Sequence, residues 1–156
     1  MSHRCILVLC AVLSTVLDVN SQPAQYCPDR WFSHVTGGTT TCLWLSNEKV
    51  SWTSAHTWCN IMQGNLVEID SPALNSKLAM LITGKLNGKY WIGLTDMEAE
   101  TAYTWSASRR PASVHNFPPG QSIGDIHKNC VHVDEKGLWG VESCKAEFWF
   151  ICQRKI

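Results

Sequence analysis

Six cysteines, Cys27, Cys42, Cys59, Cys130, Cys144 and Cys152, form an even set in the body of the chain. None stands in a C-x-x-C pair and the histidines are scattered, so the spacing suits disulfides and not a structural zinc site. Six cysteines allow many pairings, and the residues alone do not choose among them. Spacing gives a preference: Cys27/Cys42 and Cys130/Cys144 would each enclose a loop of about 15 residues, worth roughly 3 kcal/mol in the chain-entropy account. Cys59/Cys152 would then tie an early element to the C-terminus. The histidines, His3, His34, His56, His115, His127 and His132, form no H-E-x-x-H pattern, and no G-x-S-x-G is present. With the cysteines in disulfides no thiol nucleophile is left, and the chain is not expected to be an enzyme. His56 reads as a helix-surface residue. His115, His127 and His132 flank a long irregular stretch, where a zinc-binding or pH-sensitive role is open. Arg109-Arg110, before Pro111, is a cationic pair suited to an anionic glycan, a sulfate or an acidic protein patch, or is simply a solvated loop pair.

The residues before Cys27 read as an address. Ser2-His3-Arg4 is weakly basic, Cys5 to Leu17 is apolar apart from Ser14 and Thr15, and Val19-Asn20-Ser21 offers small residues before a cut at Gln22. That layout predicts a secretory signal peptide over residues 1–21, and the apolar stretch is short of the roughly 20 residues of a membrane span. Cys5 and Cys10 would leave with it, as would Arg4 and Asp18, so 13 basic and 13 acidic residues become 12 and 12. The expected product is secreted and extracellular, in an oxidising compartment that supports three disulfides. A balanced charge gives no pull toward nucleic acid or an acidic membrane. With 45% hydrophobic and 17% charged residues, the chain can build a core of its own.

Two short apolar runs around Gly37-Gly38 predict a hairpin. Ser51 caps a helix carrying Trp52, Ala55, Cys59 and Met62 at helical spacing, and Gly64 stops it. Asn65 to Ile69 alternates as a strand. Ser71-Pro72 opens a second helix with Leu74, Leu78, Leu81 and Ile82 as its buried stripe, ended by Gly84. Strands follow at Tyr90 to Thr95, Ala102 to Trp105, Cys130 to Val133, Leu138 to Val141 and Phe148 to Cys152. Between Ser106 and about Lys128 there is no sustained periodicity, and irregular segments of that length are usually functional. Early helices, late strands and one long loop predict an α+β domain. Trp91, Trp105, Trp139 and Trp149 sit in strand-like runs and are expected in the core instead of stacking on sugars. Phe117 is the aromatic expected near the loop's surface.

The order of these motifs resembles the C-type lectin-like domain. Trp91-Ile92-Gly93-Leu94 with Thr95-Asp96 matches its WIGL signature, Ala55 to Cys59 its first-helix cysteine, and Asn65 to Ser71 its strand into the second helix. Cys130, Gly137-Leu138-Trp139, Cys144 and Phe150-Ile151-Cys152 keep the family order. Cys27 and Cys42 look like the long form's N-terminal hairpin. The resemblance covers residues 22–156, with a core at 27–153, and implies a fold of two helices, antiparallel strands and a long loop, with disulfides Cys27–Cys42, Cys59–Cys152 and Cys130–Cys144. In layout the chain is similar to short secreted members, perlucin-like shell proteins among them. The family's calcium-dependent members grip a sugar through an ion held by an acid-Pro-Asn triplet, an acid before a cysteine and an Asn-Asp pair after a tryptophan; a hard cation takes oxygen ligands from both protein and sugar. Here the triplet positions read Gln121-Ser122-Ile123, the acid position before Cys130 reads Lys128, and the pair after Trp139 reads Gly140-Val141.

The resemblance therefore implies carbohydrate recognition through a non-standard or calcium-independent site. The alternative is a structural extracellular-matrix or protein-binding module that does not bind sugar. The partners expected are a glycan or an extracellular protein or matrix ligand, with no nucleic acid and no membrane span. Calcium is not favoured as a cofactor. The candidate ligand-binding residues are Arg109, Arg110, Phe117, Gln121, Ser122, Asp125 and Asn129. Asp96, Glu100 and Asp125 match a weak auxiliary calcium site of the family, against the reading that they form a solvated turn.

Overall fold

The computed structural model describes residues 26–84 and 88–156. The expected signal peptide, residues 1–21, lies outside the described residues. Ten elements follow in order: β1 (Phe32–Thr36), β2 (Thr39–Leu45), α1 (Trp52–Ile61), β3 (Asn65–Leu66), α2 (Pro72–Ile82), β4 (Tyr90–Thr95), β5 (Thr104–Trp105), β6 (Cys130–Val133), β7 (Trp139–Glu142) and β8 (Trp149–Lys155). The strands form one sheet ordered β1-β2-β8-β4-β6-β7, with β3 on β8 and β5 on β4. All the ladders are antiparallel except β4–β8, which runs parallel, a pairing the expectation of antiparallel strands did not include.

Both helices begin where their caps predict. The Ser51 side chain accepts the Ser54 N–H, and the Ser71 side chain accepts the Leu74 N–H ahead of Pro72. Trp52, Ala55 and Cys59 turn one face of α1 inward, and Leu74, Leu78 and Ile82 do the same on α2. Burying each of these larger apolar side chains stabilises the fold by roughly 1.5–3 kcal/mol.

Two predicted strands come out shorter, for local reasons. The run from Asn65 keeps only two ladder residues because Val67 bridges two neighbours: its N–H donates to the Ile151 carbonyl at 2.9 Å, and its carbonyl accepts from Gly93 N–H at 2.8 Å. Ala102 is drawn into a turn by its N–H bond to the Ala99 carbonyl, so β5 starts at Thr104. Gly93 of the WIGL motif permits the first of these packings, since a Cβ there would lie 2.9 Å from the Leu66 carbonyl oxygen.

Among the described residues three disulfides join Cys27 to Cys42, Cys59 to Cys152 and Cys130 to Cys144, with Cα separations of 5.4, 5.3 and 5.1 Å. Trp91, Trp105 and Trp139 are buried, whereas Trp149 is only half-buried. Indole N–H groups of the inner tryptophans are bonded: Trp52 donates to the Ile92 carbonyl, Trp91 to the Val50 carbonyl and Trp139 to Asn75 Oδ1. Among the described residues no helix is long and apolar enough to cross a membrane.

Candidate functional site

The segment between β5 and β6 is irregular, as its composition predicts, but it is fastened along its length. Glu68 Oε1 accepts the Ser108 N–H at 2.8 Å, the Asn116 carbonyl accepts the Trp139 N–H at 2.9 Å, and the Tyr103 hydroxyl donates to the Ile123 carbonyl at 3.0 Å. Phe117 is half-buried between Tyr103 and Trp139, with ring centroids 5.5 and 5.6 Å away. The loop is thus a wall clamped to the core.

One groove forms where this wall meets β6 and β7. Its volume is about 330 Å³, and Gln121, Lys128, His132, Asp134, Trp139 and Glu142 line it. In an antiparallel ladder, residues two apart share a face. Cys130 stands opposite Glu142 and His132 opposite Gly140, so Glu142 and Gly140 present themselves to one side with His132. Lys128 Nζ lies 3.8 Å from Glu142 Oε1, and the same carboxylate oxygen accepts the Ser143 N–H at 2.9 Å. A half-exposed pair of this kind contributes about 0–1 kcal/mol; its larger effect is to place an ammonium beside the groove's carboxylate.

His132 is buried in the groove's floor, edge-on to Phe148 at 5.2 Å and to Trp91 at 6.3 Å. Its Nδ1 is buried and has no hydrogen-bond partner among the described residues. Burial, then the charge of Lys89, lowers its pKa to about 4, against smaller opposing effects of Asp134 and Glu142. The ring is therefore neutral at physiological pH.

The residues matching the family's ion-mediated sugar site do not fit a calcium ion here. Lys128 brings a cation paired to Glu142, Gly140 brings no side chain, and the Gln121 amide is turned to its neighbour, donating to the Ser122 carbonyl at 3.1 Å. Ser122 is exposed beside it.

The auxiliary positions are split. Asp96 is buried; its Oδ2 accepts the Thr101 N–H at 2.9 Å, while its Oδ1 has no partner among the described residues, and neither does Asn129 Oδ1. Asp96 and Asn129 are joined just beyond the β4–β6 ladder by the Asp96 N–H bond to the Asn129 carbonyl at 3.2 Å, and two orphaned oxygens there suit a cation, but Glu100 is exposed and Asp125 Oδ1 accepts the His127 N–H at 3.0 Å. Among the described residues no group of three or more His, Cys, Asp or Glu gathers closely enough to hold a metal. Burial, followed by the charge of Asp96, raises the Tyr103 hydroxyl well above the usual tyrosine range.

The structure does not bring all the sequence-predicted site residues together. Gln121 and Lys128 share the groove. Phe117 lines an apolar cleft of about 640 Å³ with Tyr103, His115 and Ile123. Arg109 pairs with Glu98, and Arg110 lies 3.7 Å from the buried carboxylate of Glu68, in a separate cleft. The sequence reading missed Glu68, Asp134 and Glu142. The alternation Trp139-Gly140-Val141-Glu142 carried the signal for Glu142, because period two puts it on Gly140's face.

The sequence profile described as the Lectin C-type domain matches residues 48–154. The chain is similar to the C-type lectin mosGCTL-7 of Aedes aegypti, 24% identical over 72% of this chain and 83% of that one. It is also similar to a C-type lectin mannose-binding isoform of Oxyuranus scutellatus, 27% identical over 96% and 97%. It spans only 44% of a rat C-type lectin domain family 10 member A and 55% of the chicken hepatic lectin. Among solved structures, the mouse scavenger receptor C-type lectin carbohydrate-recognition domain superposes with a TM-score of 0.74 at 27% identity, covering 83% of this chain and 96% of that one. A calcium-independent type II antifreeze protein superposes equally well, at 0.74 over 84% and 96%, but its 20% identity speaks to fold alone. With the profile covering more than half of it, the chain belongs to the Lectin C-type domain family.

Proposed function

We propose that this protein is a secreted carbohydrate-binding domain, residues 22–156, released from a signal peptide at residues 1–21, and that it recognises its glycan without an ion bridging protein and sugar. The contact surface is the groove between the long loop and β7. Trp139 gives it a rigid floor, and the Gln121 amide, Lys128, Asp134 and Glu142 offer donors and acceptors to sugar hydroxyls. The observation that carries this reading is the Lys128–Glu142 pair beside Gly140: the groove holds polar groups for hydroxyls, but its charge comes from side chains. A calcium ion at Asp96 and Asn129 would be a separate, structural matter.

The similar protein of Oxyuranus scutellatus is named a mannose-binding isoform, which makes mannose the first ligand to test. A glycan array would select the sugar, and backbone amide shifts recorded on adding it would map the contact. The expected result is perturbation centred on Gln121, Lys128 and Glu142. Absence of any glycan binding, with affinity instead for an extracellular matrix protein, would replace this reading with the structural-module alternative.

A further inference from the structure

A second cleft, of about 410 Å³, shares no residue with the Trp139 groove. It lies where the segment after α1, the turn after β5 and the end of β8 meet. Its base is polar and fixed. Glu68 and Gln153 are each 5% exposed, and Gln153 Oε1 accepts the Glu68 N–H at 3.2 Å. The Glu68 carboxylate is engaged on both oxygens, by the Ser108 N–H and by Arg110. Three cations line the cleft: Arg110, and from opposite faces of β8 Arg154 and Lys155, the latter also bordering a neighbouring cleft that contains Asp70. The Arg110 side chain is 64% exposed while it reaches the buried Glu68 carboxylate. Arg154 and Lys155 make no ion pair with any described residue. Three cations against one engaged acid leave two positive charges in excess, in a chain whose formal charges balance overall.

We propose that this cleft is a second binding site, for an anionic polysaccharide. Its sulfate or carboxylate groups would meet Arg110, Arg154 and Lys155, and its hydroxyls the amides of Gln63 and Asn65. Two guanidinium groups offer paired donors to the planar or tetrahedral oxyanions of such a polymer. The neutral lining is amide, hydroxyl and glycine, with Ala107 as its single apolar side chain, which suits a hydroxyl-rich polymer better than an acidic peptide. The site is independent of the Trp139 groove.

The test is binding of the full secreted chain to dextran sulfate, to unsulfated dextran and to poly-glutamate, at about 50 and about 150 mM salt, since contacts of this type weaken as counterions compete. The expected result is binding to dextran sulfate alone, weaker at the higher salt. The double variant Arg154→Ala/Lys155→Ala, which leaves Glu68 and its partners in place, loses about tenfold or more in affinity at the lower salt. Arg110→Gln loses affinity in the same direction. Lys136→Ala/Lys145→Ala, at exposed lysines outside the cleft, leaves it unchanged. Failure of dextran sulfate to bind the parent chain, an equal loss from the Lys136/Lys145 control, or poly-glutamate binding as tightly would each overturn the proposal. None of these outcomes bears on sugar binding at the Trp139 groove.

Discussion

His132 faces Gly140 across the β6–β7 ladder, and its imidazole fills the space that a side chain at position 140 would need: a Cβ there would lie 2.5 Å from both Cε1 and Nε2. The resemblance implies that the family's ion-binding amide would stand at this position, after the tryptophan. With the histidine ring where it is, a side chain at position 140 is excluded by packing.

Gly140→Ala should therefore destabilise the domain by about 1–3 kcal/mol, the usual range for a forced side-chain shift in a packed region. Urea unfolding measures it. Adding His132→Ala to the same chain should return part of the loss, because the clash is between these two residues. A neutral Gly140→Ala would show that the ring moves aside freely.

Stability should depend on pH through His132. Its pKa falls from an unfolded value near 6.5 to about 4 in the fold, so between those values the unfolded chain binds the extra proton. Folding is then unpenalised above about pH 6.5, loses stability as pH drops toward 4, and levels off below it, a span on the order of 3 kcal/mol. Melts of the parent chain and of His132→Gln across pH 4 to 7.5 test this. The variant should lose that part of the slope, and parallel curves would assign the slope to the carboxylates.

Asn75 ties α2 to the floor of the groove. Its Oδ1 accepts the Trp139 indole N–H at 2.8 Å, and its Nδ2 donates to the Gly137 carbonyl at 3.0 Å. Asn75→Leu leaves the buried Trp139 indole N–H without its acceptor, while the Gly137 carbonyl keeps the Asn116 amide as a donor, and should cost about 1–3 kcal/mol. Glycan affinity should fall with it, because Trp139 loses its fixed setting.

Much of this architecture could be read from the residues. The caps at Ser51 and Ser71 mark both helices because a hydroxyl before an amphipathic run satisfies otherwise unpaired N–H groups. Tyr90 to Thr95 and Cys130 to Val133 are β-branched and aromatic, and they appear as strands with the expected bounds. The site was less legible. Arg109 and Arg110 are adjacent in sequence, yet one turns to Glu98 and the other to Glu68, since Arg109 sits at a positive φ of 60° that redirects the chain between them. Lys128, in the turn before β6, meets Glu142 because the ladder register sets Cys130 opposite Glu142, and local patterns carry no record of register.

The Cys59–Cys152 bridge spans 93 residues and links α1 to β8. The chain-entropy account gives such a loop about 4–5 kcal/mol. Replacing both cysteines with alanine should lower the melting temperature sharply, and reductant should do the same to the parent chain. A melt insensitive to reductant would mean that packing around Trp52 and Phe150 holds this junction without the bond.

Glycan-array binding of the parent chain, in millimolar calcium and again in excess EDTA, tests the ion-free reading of the groove most directly. Binding of equal strength in both buffers is the predicted result. Recognition of mannose or galactose that vanishes with EDTA and returns on adding calcium would contradict it.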